Sequence, residues 1–570
     1  MTLSSLDPHK SQYNRLPLAL SMFTLALFLL IGLLAMMEKA GVVEILIEAL
    51  MALLPLFVFA AAGILARTMK LSQFQWGGKN APAGLTGVTL AACFVGGSLF
   101  PLFLSLTFLP EYASFPILLG CASSLVLCTV LFASPIRKFG SVTIPEFLGV
   151  RLQSSTVRVV ASGLLILVGV PLLCTEILVG GQVLATSLSS SATTGVLLFS
   201  IVLLVSVILG GFSGAIWTQA LQGVLMIFAC LSPLLLLGLD QLTSPALTDG
   251  FGFTPVVGTS LTEQLSAIID IENTSVGWFL TQGPYAGGVW PLIGTALFFA
   301  VGMASLPHLL SKLQGTSSAS ASRRAAGYSL SFLLLLTVVG SAYFLFLADE
   351  RLQSLLGPNA LDQGYQSGLI AALIRSGIVA AALAASSALL TALSTCVSRD
   401  LIEAFALPRA SMNQKLVLAR VVVLTVFALV TYLAYSQRLL FLDTLVLSIS
   451  LTAAAFFPVL VLSCWWSKLH AVAAYSAMLT GAVSTLLYAL AVSNGWTGFW
   501  FGFPAEMGGF FGVFLGFTVG ISLSFVGFSE GKKHIYLAGL LEQPSEKDLS
   551  SDLSDNSDND KEEELAEVKV

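Results

Sequence analysis

Long apolar stretches return along this chain about fourteen times, and that recurrence constrains its fold more than any other feature. They run at approximately 17–37, 43–66, 83–106, 115–135, 157–186, 194–212, 214–238, 289–306, 328–348, 376–398, 416–436, 441–465, 469–493 and 507–529. Most come close to the roughly 20 residues an α-helix needs to cross a bilayer core. Composition agrees, with 56% of residues hydrophobic and 10% charged, against about 25% charged in soluble domains. The expected fold is an all-α polytopic membrane protein of about fourteen transmembrane helices, with the lipid bilayer as its partner. The first run is longer than a signal-peptide core and has no clear small-residue cleavage site, so it reads as an uncleaved helix.

Loop charge supports the even count. With the N-terminus inside, the inside connections carry Arg67, Lys70, Lys79, Arg137, Lys138, Arg151, Arg158, Lys312, Arg323, Arg324, Arg399, Arg409, Lys415, Lys468, Lys532 and Lys533. The outside connections carry mainly acids, among them Glu111, Asp240, Asp249, Glu263, Asp270, Glu272, Asp349, Glu350 and Asp362, with few bases: Lys39, Arg351, Arg375 and Arg438. A miscounted helix would scramble this positive-inside pattern from that point onward. The chain is therefore expected in the cell (plasma or inner) membrane with both termini cytoplasmic.

The third run, Ala83 to Leu106, has Gly96-Gly97 at its middle and Pro101 just beyond. Glycine and proline weaken a helix interior. Backbone freed at mid-membrane is tolerated only against protein or a cavity, and transporters place solutes and ions at such breaks. A Gly-rich face for a packed neighbour explains the same residues.

Other chemistry is missing. The seven cysteines form no CxxC pair and the four histidines no ligand spacing, so no disulfide, zinc site or cofactor is expected. No P-loop, dinucleotide fingerprint or nucleophile elbow appears, and neither an enzyme nor a nucleic-acid binder is expected. Residues 239–288 form the longest external connection. The segment 531–570 reads as an acidic, disordered cytoplasmic tail; it could dock a cytoplasmic partner, although solubilisation explains it equally well.

Five motifs then occur in order. These are Phe74-Gln75-Trp76-Gly77-Gly78-Lys79; Thr143-Ile144-Pro145-Glu146-Phe147 with Arg151-Leu152; Gly210 through Gln222, containing Trp217-Thr218-Gln219; Leu306-Pro307-His308 with Lys312 and Arg323-Arg324; and Phe456-Phe457-Pro458 with Trp465-Trp466-Ser467-Lys468. Together they resemble the sodium:solute symporter family, nearest its acetate and monocarboxylate permease branch. Gln219 stands where many members have Asp. The resemblance implies a secondary active transporter with an inverted five-plus-five helix core at 83–238 and 289–465. Two accessory helices would precede it within 1–82 and two follow within 466–530. The first and sixth core helices would be broken, the sixth at Phe298 to Gly302.

A family sodium ion would sit between the first and eighth core helices on carbonyls and hydroxyls. Registered on Asp400, the eighth helix puts Ala381, Ala384 and Ala385 at the ligand positions. Ser386 and Ser387 follow, but one residue turns a helix by about 100°. A shifted set of Ala92, Val95, Ser386 and Ser387 would hold sodium. Coupling to protons, or an uncoupled or sensory module, are the alternatives.

For protons the candidate is Glu176, a carboxyl in mid-span and thus a functional residue by default. Locking helices together is its plainer role. Gly96, Gly97, Gln182, Thr218, Gln222 and Phe298 complete the substrate and coupling candidates. His308 reads as a loop anchor beside Lys312, Asp443 as an interfacial partner of Arg438, and the Phe cluster near 499–514 as lipid-facing or interfacial. No Arg or Lys is expected within a span. A small monocarboxylate would then rely on helix N-termini and backbone amides at the breaks, which leaves a neutral or zwitterionic solute equally open.

Overall fold

The structure, a computed structural model, describes residues 16–79, 81–105, 114–242, 289–348, 368–436 and 441–526. Their regular structure is helical, apart from one bridge between Ala81 and Thr316. The helices are α1 Leu16–Lys39, α2 Glu44–Leu65, α3 Leu71–Trp76, α4 Ala83–Ser105, α5 Ser114–Leu127, α6 Ile144–Arg151, α7 Ser155–Ser187, α8 Ala192–Ile208, α9 Gly211–Leu242, α10 Val289–Ala304, α11 Pro307–Gln314, α12 Ala319–Ala348, α13 Gly368–Thr395, α14 Met412–Ser436, α15 Phe441–Trp465, α16 Ala471–Ser493 and α17 Gly509–Phe525. Helix α5 runs on through a π-type stretch, Cys128–Ala133, and α13 through a longer one, Cys396–Ala406.

A helix overlies each of the fourteen predicted runs. Among the described residues eleven helices are long and apolar enough to cross a membrane, or twelve if the bent pair Ile293–Ala304 and Pro307–Gln314 is one span. Helix α8, with 17 residues, is short for a span, and α12 opens on the Arg323-Arg324 pair. The external connection at 243–288, residues 1–15, Arg438 and the acidic tail lie outside the described residues.

Packing pairs recur between the two halves. Helix α4 lies on α12 as α10 lies on α5; α4 meets α9 as α10 meets α15. Helices α7 and α13 cross the centre against each other, and α13 also packs on α4 and α9. Helices α16 and α17 pair with each other and sit against α15. The aromatic segment beside α17 is mixed: Trp500, Phe501 and Phe514 are exposed, whereas Phe503 is buried and faces Gly294 of α10.

The second break is not where the sequence suggested. Helix α10 runs on through Phe298 and Gly302, and the chain bends by 49° after Ala304, ahead of Pro307. Proline cannot donate to the preceding turn. Gly302 instead serves packing, since a Cβ there would lie 2.4 Å from the Ile449 side chain.

Candidate functional site at the break in α4

Within α4, Gly96 has φ 57° and ψ 177°, a conformation open essentially to glycine. The break turns the next amides out of the helix ladder. Gly97 N–H donates to Glu176 Oε2 at 2.8 Å, and Ser98 N–H and hydroxyl donate to Oε1 at 3.3 and 2.5 Å. One carboxyl of α7 thus caps the start of the second half-helix, where unpaired amides carry partial positive charge. Neighbours leave no room for side chains on the two glycines. A Cβ on Gly97 would sit 2.8 Å from the Ala382 Cα, and one on Gly96 would sit 2.8 Å from Glu176 Oε1. Beside the break is a cavity bordered by Val95, Glu176, Leu306, His308, Ala385 and Ile449.

On the other face of α13, the Ala384 carbonyl is a hub. It accepts from Cys93 Sγ at 3.3 Å, Gln219 Nε2 at 3.2 Å and Ser387 Oγ at 3.0 Å. Gln219 Nε2 also donates to Ser387 Oγ at 2.8 Å, while Gln219 Oε1 accepts from Lys312 Nζ at 2.7 Å. A main-chain carbonyl can only accept, so the contact with Ala384 fixes the orientation of the Gln219 amide. Lys312 is 2% exposed, with Nζ 4.5 Å above the Phe212 ring. The expectation of no basic residue within a span is thereby corrected, as it is by Arg375, buried on α13 and paired with Glu48 of α2 at 2.5 Å. Loop-charge counting places a residue by chain position alone. The bend at Pro307 instead packs the short helix carrying Lys312 against α13 and α4.

Two further cavities, both touching His308, lead from the break to Gln75 and Thr143 at the basic end of the bundle. A polar latch stands there. Asp400 Oδ1 accepts from Arg158 Nε and Nη2 at 2.9 and 2.7 Å, and Oδ2 accepts from the Thr143 hydroxyl at 2.7 Å. Arg399 pairs with Glu146 at 2.8 Å and stacks 5.3 Å above Trp76. Gln75 donates to Glu403 at 3.0 Å. Thr143 caps α6 by accepting from Glu146 N–H, which orients both latch residues of that helix. Burial pushes the Glu146 carboxyl up, but Arg399 and the Val142 amide outweigh it and hold it below the usual glutamate range. Its stabilisation is therefore full above the unfolded carboxyl range and lost as pH falls through the depressed folded value. Thermal unfolding in detergent is expected to show that acid loss in the native protein and to lack it in Glu146→Gln; identical acid profiles would contradict the pairing.

A sequence profile of the sodium:solute symporter family matches residues 74–481. The chain belongs to the sodium:solute symporter family. It is a multi-pass membrane transporter, not an enzyme. An uncharacterized symporter of Cupriavidus necator is 23% identical, over 90% of this chain and 96% of its own. A sodium/proline symporter of Haemophilus influenzae is 24% identical, covering 76% and 86%. A monocarboxylic acid transporter of Corynebacterium glutamicum is 23% identical, covering 74% and 78%. The fold is similar to that of a sodium-coupled sialic acid symporter in a substrate-bound, outward-open state, with a TM-score of 0.61 and 18% identity over 85% of this chain and 99% of that one.

In this family member the candidate residues part company. Glu176, Gly96, Gly97 and Val95 meet at the break. Ala92 is buried. Ser387 belongs to the Ala384 hub, whereas the Ser386 hydroxyl is buried with no hydrogen-bond partner among the described residues. Thr218 donates back to Gly214 and Ala215 of its own helix. Gln222 is buried with both amide atoms unpartnered among the described residues. Gln182 is exposed, because six residues beyond Glu176 a helix has turned about 240°. Phe298 packs edge-on to Phe299, with ring centroids 5.2 Å apart. His308 is no loop anchor: it is helical, buried and borders all three cavities. Asp443 opens α15, and its expected partner Arg438 lies outside the described residues. Lys312 and Asp400 were not among the sequence candidates. The signal for Lys312 was Gln219, a neutral side chain where many members have Asp.

Proposed function

We propose that this protein takes up a small organic solute by alternating access, driven by a co-transported cation, with the solute bound at the break in α4. The observation that carries this reading is the interruption at Gly96, whose freed amides face Glu176 beside a cavity. The buried, unpartnered amide of Gln222 is a further candidate solute contact, since such a group costs about 1–3 kcal/mol unless something pairs with it. The three cavities that share His308 mark the release path, and the latch closes its basic end, which the positive-inside pattern makes cytoplasmic together with both termini.

The paired packing of the two halves supports repeats at 83–238 and 289–465, flanked by two accessory helices on each side. Proline and monocarboxylates, named for the relatives, are both carboxylates. Lys312 supplies a positive charge along the release path for such a solute. The coupling cation has two readings. Sodium, implied by the family, would use Ala92, Val95, Ser386 and Ser387. A proton on Glu176 is favoured by that residue's direct hold on the break. Purified protein in liposomes is expected to concentrate acetate, pyruvate or proline when a sodium or a proton gradient is imposed. Absence of uptake across a broad solute panel under both gradients would overturn the proposal.

A further inference from the structure

The Ala384 hub bears on which cation couples, and the inference here rests on the cation-coupled reading above. We propose that the Lys312 ammonium is a tethered cation that stands in for a sodium ion on the α13 side, so that the Ser387 corner does not bind sodium.

The donor set is the reason. A hard alkali cation needs several oxygen lone pairs turned toward it. At the hub each of the oxygens already accepts at least one hydrogen bond from a neighbouring donor. The Ala384 carbonyl accepts from a thiol, an amide and a hydroxyl. Ser387 Oγ gives its proton to that carbonyl and accepts from Gln219 Nε2. Gln219 Oε1, the remaining oxygen, accepts from Lys312 itself. The cluster thus converges N–H, S–H and O–H donors on one carbonyl, and the charge at its edge is positive.

Lys312 is held there from two sides, by the Gln219 carbonyl and by the face of Phe212. None of the ion pairs among the described residues includes it. A second cation at Ser387 would therefore meet a like charge in a poorly solvated place, with no carboxylate at the hub to offset it. Separated by several ångströms at an effective dielectric near 20, two such charges repel by a few kcal/mol, a factor of roughly a hundred in affinity. Ser386 does not relieve this, because it stands about 100° around α13 from Ser387. A lysine also differs from a free ion in one functional respect. It cannot leave with the solute, so its charge stays on α11.

Sodium-22 binding to the purified full-length protein in detergent, at constant ionic strength maintained with N-methyl-glucamine, tests this without knowledge of the solute. Native protein is expected to show no saturable binding at Ser387, so Ser387→Ala changes nothing. Lys312→Met, which keeps the length of the side chain and removes its charge, is expected to gain saturable sodium binding by at least about tenfold, and adding Ser387→Ala should remove that gain. Lys312→Arg keeps the charge and should remain without it. Saturable binding by native protein that Ser387→Ala abolishes would overturn the proposal. So would a folded Lys312→Met, monodisperse on size exclusion, that gains nothing. If Lys312→Met does not fold, Lys312→Gln is measured in its place under the same criteria, and the native and Ser387→Ala comparison decides independently. Failure of uptake in liposomes would remove the transport reading while leaving these binding results to stand.

Discussion

Glu176→Ala is expected to destabilise the protein by roughly 3 kcal/mol or more and to abolish uptake. The loss arises from what the carboxyl leaves behind. The amides of Gly97 and Ser98 and the Ser98 hydroxyl all donate to it, and each buried donor left without an acceptor costs about 1–3 kcal/mol. They cannot return to the α4 ladder, because Gly96 holds the chain out of helical geometry. Glu176→Gln separates structure from coupling. It keeps one acceptor oxygen but turns an NH2 group toward backbone donors, so stability should fall by less than in the alanine variant. If Glu176 carries the coupled proton, the glutamine variant loses concentrative uptake under a proton gradient while it still exchanges solute. Thermal unfolding and liposome uptake measured on the same preparations decide. Unchanged coupled uptake in Glu176→Gln would assign the residue to capping alone.

Arg158→Ala is expected to cost roughly 3–5 kcal/mol, the range for removing one partner of a buried ion pair. The Asp400 side chain is fully buried, and Arg158 gives it two hydrogen bonds, beside those from the Thr143 hydroxyl and the Cys396 thiol. Without the guanidinium the carboxylate keeps the Thr143 hydroxyl and the Cys396 thiol, neither of which carries a charge. Replacing both partners by apolar residues, Arg158→Met with Asp400→Leu, should recover most of the loss, since well-packed apolar pairs often match buried ion pairs. Uptake then distinguishes two uses of the pair. Recovery of unfolding temperature with full uptake makes the pair structural. Recovery of stability with impaired uptake makes it the latch that closes the cytoplasmic end between cycles. A loss under about 1 kcal/mol in Arg158→Ala would show that the pair does not hold the two helices together.

Much of this was legible in one dimension. Apolar run lengths marked where helices lie, since hydropathy sums over neighbours along the chain and a spanning helix satisfies its own backbone. Gly96-Gly97 announced an interruption, because the cost of glycine in a helix is local to the residue. The isolated Glu176 stood out for the same reason: a lone carboxyl in an apolar run is conspicuous without reference to anything else. Partnerships were different. That Glu176 caps the break, that Ser387 joins the Ala384 carbonyl while Ser386 does not, that Gln182 faces outward and that Lys312 reaches Gln219 all depend on how each helix is rotated and tilted. Rotation follows from packing, such as the close fit of Gly97 on Ala382 and of Gly302 on Ile449. Those contacts join residues far apart in the chain, and no local sum contains them. By itself, then, the sequence placed a helix at each long apolar run, but not the short helices α3, α6 and α11 or how many of the runs are long enough to span, and it announced the break in α4. Only the tertiary structure decided which charges meet there, because burial of a side chain depends on its neighbours in space rather than in sequence.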